Sequence, residues 1–438
     1  MRSSRLLLPL SFLSSVGLGF VPLACGTDNG QKQFGPSFDL DGGGQSDGGG
    51  GGGADGSSGG QDDGGGNVTD GGVGSDAGGM DAGACTNVLA VVSGGPSSAF
   101  GSVYTQGAWK TTSLATTVSG NPGADNPAGQ SVPAITSLGS NFVAAMRTST
   151  NAVTSVTWSA GAWSSVATIG TALARDTPSI TTLSGKAHLV IQGTDYKFSH
   201  GTYSGGAWDS TTDPVGGAAA LQSFGPTTPQ IAGVGTEIVG VFSGDSSTDG
   251  GTGGLYDVRY SGSAWTPPMS HPAPLSYFRA NPAVSALAAG GAMDLVAVYV
   301  DTATRQLQWT GRLANKTYTS PATVAVTALS DVGLSLATLA NGKLALAFWG
   351  QDQKAYFSLG TVNGQSVTWT TPSPLVSGTN PVTASPPSVT AGVCGDDAVA
   401  TYATGGSAYV TRLRGATWTT PEALPMVTNV LSAASATH

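Results

Sequence analysis

Tryptophan returns through this chain at a spacing of about fifty residues, the length of one four-stranded propeller blade. It stands at Trp109, Trp163, Trp208, Trp265, Trp369 and Trp418, and five of the six close a short phrase of small residues such as Gly107-Ala108-Trp109, Gly205-Gly206-Ala207-Trp208 or Gly262-Ser263-Ala264-Trp265. The interval from Trp265 to Trp369 is twice the usual one, and Tyr318 sits in its middle. Counting Tyr318 gives seven units, so the periodicity predicts an all-β, seven-bladed ring of four-stranded blades over residues 85 to 438.

Each unit has the same internal grammar. In Pro178 to Trp208 a first short strand (Pro178 to Leu183) is followed by an apolar second strand (Ala187 to Gln192), a third (Tyr196 to Tyr203) and a turn before Trp208 opens the fourth. Proline suits the start of the opening strand, where a missing N–H costs least, and it recurs at Pro133, Pro229, Pro282 and Pro387. The second strands, including Val88 to Val92, Phe142 to Met146, Leu344 to Trp349 and Ala398 to Tyr402, are continuous apolar runs. Such runs fit strands covered on both faces, as between neighbouring blades.

The first unit begins directly at a second strand, whereas the last is followed by an extra Val430-Leu431-Ser432-Ala433-Ala434. If that tail supplies the missing strand of the first blade, the ring closes and no sheet edge is left open.

Ahead of the repeats, residues 26 to 84 form a Gly/Asp/Ser/Ala mixture with almost no large apolar side chain after Leu40. A segment of this composition cannot bury enough surface to offset the entropy of ordering, so a disordered linker is expected. Its ten Asp outweigh its single Lys32 by nine charges, equal to the formal net charge of −9 of the whole chain. The repeat region is therefore close to neutral, which argues against nucleic acid as a partner.

Residues 1 to 25 read as an export signal: Arg2 and Arg5, then an uncharged apolar run from Leu6 to Val21, too short for a membrane span. Val21-Pro22-Leu23-Ala24-Cys25 resembles the lipobox of bacterial lipoproteins, with Pro22 departing from the aliphatic or small residue found there. The resemblance implies acylation of Cys25 and a lipid anchor as the only membrane contact, with Gly26 compatible with outer-membrane sorting. Release after ordinary cleavage is the alternative. With Cys25 used in this way, Cys85 and Cys394 form an even pair in an exported protein, each just before a second strand, in adjacent blades; a disulfide between them is expected.

Most repeat aromatics read as blade-packing residues. Trp158, Trp309 and Trp349 fall outside the repeat position, and Trp349 ends a second strand just before Asp352, Gln353 and Lys354. An aromatic face beside short polar groups suits a sugar ring. The corresponding turns carry Asp195, and Asp301 with Arg305, so these residues are the candidate ligand contacts, against the plainer reading of solvated hairpin tips. Asp245 to Gly250 carries oxygen donors at positions one, three and five with glycine at six, like the start of a calcium loop. Tyr256 stands where the bidentate Glu belongs, which leaves Asp245 and Asp249 a weak metal candidate beside an ordinary hairpin tip.

Catalysis has little to rest on. The chain holds two glutamates, Glu237 and Glu422, and its four histidines show no ligand spacing, so no cofactor is read. Gly415-Ala416-Thr417-Trp418 keeps only the end of the Asp-box of propeller sialidases, and Arg147, Arg259, Arg305 and Arg412 specify no arginine triad. In spacing and in the small-turn-then-Trp ending, residues 86 to 438 resemble the repeats of propeller lectins, both the fucose-binding fungal type and the seven-bladed bacterial type. The resemblance implies a carbohydrate-binding propeller with contacts between blades or on one face; together with the export signal and the want of catalytic residues, the expectation is a non-catalytic, monomeric binding module at the cell surface. A structural or protein-interaction propeller is the competing class, and a sialidase-like hydrolase a distant third.

Overall fold

The computed structural model describes residues 88–105, 107–119, 131–194, 197–209, 213–214, 228–244, 254–271, 282–301, 304–325, 330–376 and 380–438. Their strands form seven antiparallel sheets, each built on a four-strand meander. The innermost strands are Ala134–Leu138, Ser179–Leu183, Gln230–Val234, Ala283–Ala286, Ser330–Thr338, Ser388–Ala391 and Ser432–Thr437. Each packs against the next, and the last packs against the first, so the sheets are the blades of a closed seven-bladed propeller. Blade 1 is the one that contains Ser432–Thr437 and Leu89–Gly95; the others follow in chain order.

The closure expected from the tail is present, beginning two residues later than the apolar run. Ser432–Thr437 pairs antiparallel with Leu89–Gly95, from Leu89↔Thr437 to Gly94↔Ser432, while Val430 is buried in the core between blades 7 and 1. Main-chain bonds from Val88 to His438 in both directions extend the ladder by one residue. The second strands are buried along their length, Leu89–Gly95 and Leu344–Gly350 completely, because neighbouring blades cover both faces.

The role of the repeat aromatic follows from register. On the third strand it pairs with Tyr104, Trp158, Tyr203, Tyr260, Arg312, Gly360 or Leu413 in blades 1 to 7. Where that partner is tyrosine the two rings tilt against each other with centroids 5.3 Å apart. Three residues earlier on each third strand lies the socket that receives the aromatic of the next blade. Gly101 lies under Trp163, Ser155 accepts the indole N–H of Trp208 at 2.8 Å, His200 meets Trp265 edge-on, and Asp257 meets Tyr318. Trp309 shares a core with Trp369, Phe357 packs edge-on to Trp418, and Val410 shares a core with Trp109.

The residue after the aromatic has its own task. The hydroxyls of Ser164, Thr266, Thr319, Thr370 and Thr419 each accept a main-chain N–H from the third strand of their own blade, at 2.9 to 3.1 Å. The fourth strand leaves the sheet at this point, and the hydroxyl takes over a bond the ladder no longer supplies.

The innermost ring is stitched by hydroxyls. Aligned on their pairing with the second strand, the third positions of these strands reach the fourth positions of the next blade: Thr136 to Thr182 at 3.0 Å, Ser285 to Thr338 at 2.8 Å, Thr390 to Thr437 at 3.4 Å. Where the fourth position is Gly233, Thr181 bonds its main-chain N–H instead, at 3.1 Å. Ser179 and Ser335, at the first position, cap the N–H groups of Ile231 and Val389 at 3.0 Å. Exposed edge donors thereby find partners across blades, each such bond contributing about 1 kcal/mol.

Candidate functional site

A meander places its second-to-third turns on one face of the ring and its other two turns on the opposite face. The charged ligand contacts expected from sequence that lie among the described residues all fall on the first of these faces. Asp301 and Arg305 in blade 5, and Asp352 and Lys354 in blade 6, occupy second-to-third turns and share the first face. Asp195, Asp245, Asp249, Cys25 and Cys85 lie outside the described residues.

The tips hold themselves together. The Asp352 carboxylate accepts the N–H of Lys354 at 3.2 Å and the hydroxyl of Tyr356 at 2.8 Å, with the Lys354 ammonium 3.8 Å away. Burial, followed by this bond to Asp352, pushes the Tyr356 hydroxyl up to about 12. Asp301 accepts the hydroxyl of Thr304 at 3.0 Å, and Arg305 takes a left-handed φ of 61° in the turn. Trp349 does not stand beside these groups as an open platform. It is 8% exposed and packs with Leu307, Trp309 and Phe348 in the core between blades 5 and 6. Trp309 is a socket and Trp158 the strand partner of Trp163, so all three tryptophans outside the repeat position are packing residues.

On the opposite face, charged side chains gather where blades 4 and 5 meet. Glu237, at the start of the second strand of blade 4, bonds both Arg312 and Lys316 of blade 5, and Asp294 lies 3.6 Å from Arg312. The Arg312 side chain is fully buried, and its Nε and Nη1 have no hydrogen-bond partner among the described residues, nor does Asp294 Oδ1. The rim is open to solvent: the side chains of Glu237, Asp294 and Lys316 are 18, 22 and 43% exposed. Burial raises the Glu237 carboxyl, but bonds from Lys316 and Arg312 outweigh it and hold the group below its usual value. For Asp294 burial prevails, and its carboxyl is raised.

A second buried network adjoins the first through Arg259, which donates to the carbonyl of Lys316 at 3.2 Å. Asp257 is completely buried and is met by Arg259 at 3.1 Å, His271 at 3.2 Å and the Tyr318 hydroxyl at 3.3 Å. Burial pushes its carboxyl up, yet His271 and Arg259 more than compensate, leaving it ionised below its ordinary range. Sequence reasoning passed over this group, since Glu237, Asp257, Asp294 and Arg312 are scattered over 76 positions and meet only because blades 4 and 5 are neighbours. The signal that was available is the substitution of tyrosine for tryptophan at Tyr318.

The mouth of the central channel lies on the second-to-third-turn face, at the beginnings of the innermost strands. It is a cavity of about 280 Å³ to which every blade contributes. Its wall carries no charged side chain. One row is aliphatic in six blades (Ile135, Ile180, Ile231, Val284, Leu336, Val389), with Ser435 in blade 1. The row beside it is alanine or serine in six blades and glutamine, Gln230, in blade 4.

No protein-family model matches the chain, and no curated protein matches it. Among solved structures, AofleA from Arthrobotrys oligospora is similar at 12% identity and a TM-score of 0.48, over 71% of this chain and 89% of that one. The six-bladed fucose-recognising lectin of Aleuria aurantia is similar at 13% identity and a TM-score of 0.44, over 68% and 95%. A protein from Bacteroides uniformis described as a putative 6-phosphogluconolactonase is similar at 13% identity and a TM-score of 0.48, over 80% and 99%. The seven-blade assignment rests on this chain's own strand pairing.

Proposed function

We propose that this chain is an exported, non-catalytic binding module whose ligands are carbohydrates, held at the cell surface by a lipid on Cys25. The observation that supports it is the rim between blades 4 and 5. Two carboxylates and an ammonium stand partly exposed over a buried guanidinium, in a repeat region otherwise poor in charge. Carboxylates accept from adjacent sugar hydroxyls and the ammonium donates to a ring or hydroxyl oxygen; such charge-assisted bonds are about twice as strong as neutral ones. A single site of this kind favours weak binding, and several chains on one surface would add avidity.

The test is a glycan array probed with the oxidised, folded chain. Saturable binding to a defined sugar is expected, lost in Asp294→Asn and Lys316→Met and kept in Asp352→Ala on the opposite face. Loss in Asp352→Ala alone would return the site to the hairpin tips named by the sequence. A blank array from folded protein would overturn the reading in favour of a protein-interaction platform.

A further inference from the structure

Six blades present alanine or serine where the seventh presents Gln230, at the mouth of a channel closed around by seven strands. A long carboxamide in a ring of small side chains makes a sevenfold wall asymmetric, and its donor and acceptor have no hydrogen-bond partner among the described residues. The neighbouring row offers branched aliphatic surface, including Ile180, Ile231 and Val284. An ammonium or carboxylate brought here would lose hydration and find the neutral carboxamide but no opposite charge, so the chemistry favours a neutral ligand. At about 280 Å³ the cavity falls just below the range of pockets that enclose a whole small molecule. It therefore fits one arm of a ligand rather than its body.

We propose that this cavity takes the acetamido arm of an N-acetylated amino sugar, with the amide paired to the Gln230 carboxamide and the methyl against the aliphatic row. A primary carboxamide and a secondary amide match donor to acceptor, and the methyl removes apolar wall from water without any polar loss. The sugar ring stays at the mouth among the prolines that begin the innermost strands, Pro133, Pro178 and Pro387. The inference rests on the carbohydrate reading for its ligand class, and not on the rim between blades 4 and 5, which lies on the other face.

Isothermal titration of the full oxidised chain with N-acetylglucosamine tests it, with glucose and glucosamine as controls lacking the acetyl group. Saturable heat is expected with N-acetylglucosamine only, weakened about tenfold in Gln230→Ala, as for loss of a buried hydrogen-bonded pair. Alanine already occupies this row in three other blades, so the variant should melt as the parent does. Val284→Trp, which fills the cavity, should abolish the heat, and Asp294→Asn should leave it unchanged. Equal binding by the parent and Gln230→Ala, or no binding by folded parent, overturns the proposal. If array binding is lost in Asp294→Asn while N-acetylglucosamine ignores Gln230, the cavity fails and the rim stands; the reverse pattern sinks the rim alone.

Discussion

The hydroxyl of Tyr318 reaches the buried carboxylate of Asp257 across the junction of blades 4 and 5, at 3.3 Å. This is the one repeat position where tryptophan is replaced, and the one socket occupied by a carboxylate. An indole has a single donor fixed on its ring edge, whereas a phenol donates from its tip and also lies 3.9 Å, centroid to centroid, from His271. Tyr318→Phe should lower stability by about 2 kcal/mol, the cost of leaving a buried charged acceptor one bond short. Tyr318→Trp, although it restores the repeat, should cost at least as much. Urea denaturation of both variants checks the pair, and a neutral Tyr318→Phe would mean that Arg259 and His271 satisfy Asp257 unaided.

Gly101 offers a second socket to test. A Cβ at this position would lie 2.4 Å from the Trp163 indole, so Gly101→Ala forces blades 1 and 2 apart. A loss of roughly 1 to 3 kcal/mol is expected from overpacking of this kind. Trp163→Leu should cost stability alone yet recover part of the loss in the double variant, a coupling visible in a double-mutant cycle. Simple additivity would show that the two side chains do not share the space.

Acid should act through a buried histidine pair between blades 3 and 4. His188 Nδ1 and His200 Nε2 are 3.0 Å apart with stacked rings, and both residues are buried. Burial, then the charge of His188, pushes His200 down to about 4; burial also lowers His188. Both folded values lie below the unfolded one, so the stabilisation is complete above about pH 6.5 and is lost as pH falls towards 4. His200 contributes up to about 1.4 kcal/mol per pH unit in that window, and His188 acts in the same direction. The melting temperature should fall below about pH 6.5, and His200→Phe should flatten the fall; a flat profile in the parent would mean that the pair is not buried in solution.

Cys394 is disulfide-bonded, and both cysteines that can be its partner lie outside the described residues. It packs against the core shared by blades 7 and 1, to which Leu89 belongs. We expect Cys85 to be the partner, since four residues of chain reach at most about 14 Å beyond Leu89. Cys394→Ser should lower the melting temperature as Cys85→Ser does, with Cys25→Ser neutral; the loop model gives about 4 to 5 kcal/mol. Peptide mapping under non-reducing conditions identifies the bond directly.

Blade number, strand order and ring closure were legible because each rests on a local signal repeated around the ring: a proline, an apolar run, a small-residue turn and an aromatic. The closing tail was legible for the same reason, as the one strand missing from an otherwise regular series. What escaped was set by neighbours in space. Trp349 has the composition of a sugar platform in its own segment, yet the adjacent blade covers it. Glu237 and Arg312 are 75 residues apart, and no pattern within either blade announces their meeting. The hydroxyls that stitch the inner ring look, one strand at a time, like ordinary polar positions of an alternating strand.

The pairing of Leu89–Gly95 with Ser432–Thr437 also makes the point where the folded chain starts arbitrary. Val88 and His438 are held side by side by two main-chain bonds. A short peptide could therefore join them, and fresh ends could be cut in an exposed hairpin such as Asn363–Gly364. Such a circular permutant should assemble the same ring, with the first blade then continuous in sequence, the sixth closed instead by strands from the two new ends, and the point of attachment to any surface moved to a blade of the experimenter's choosing.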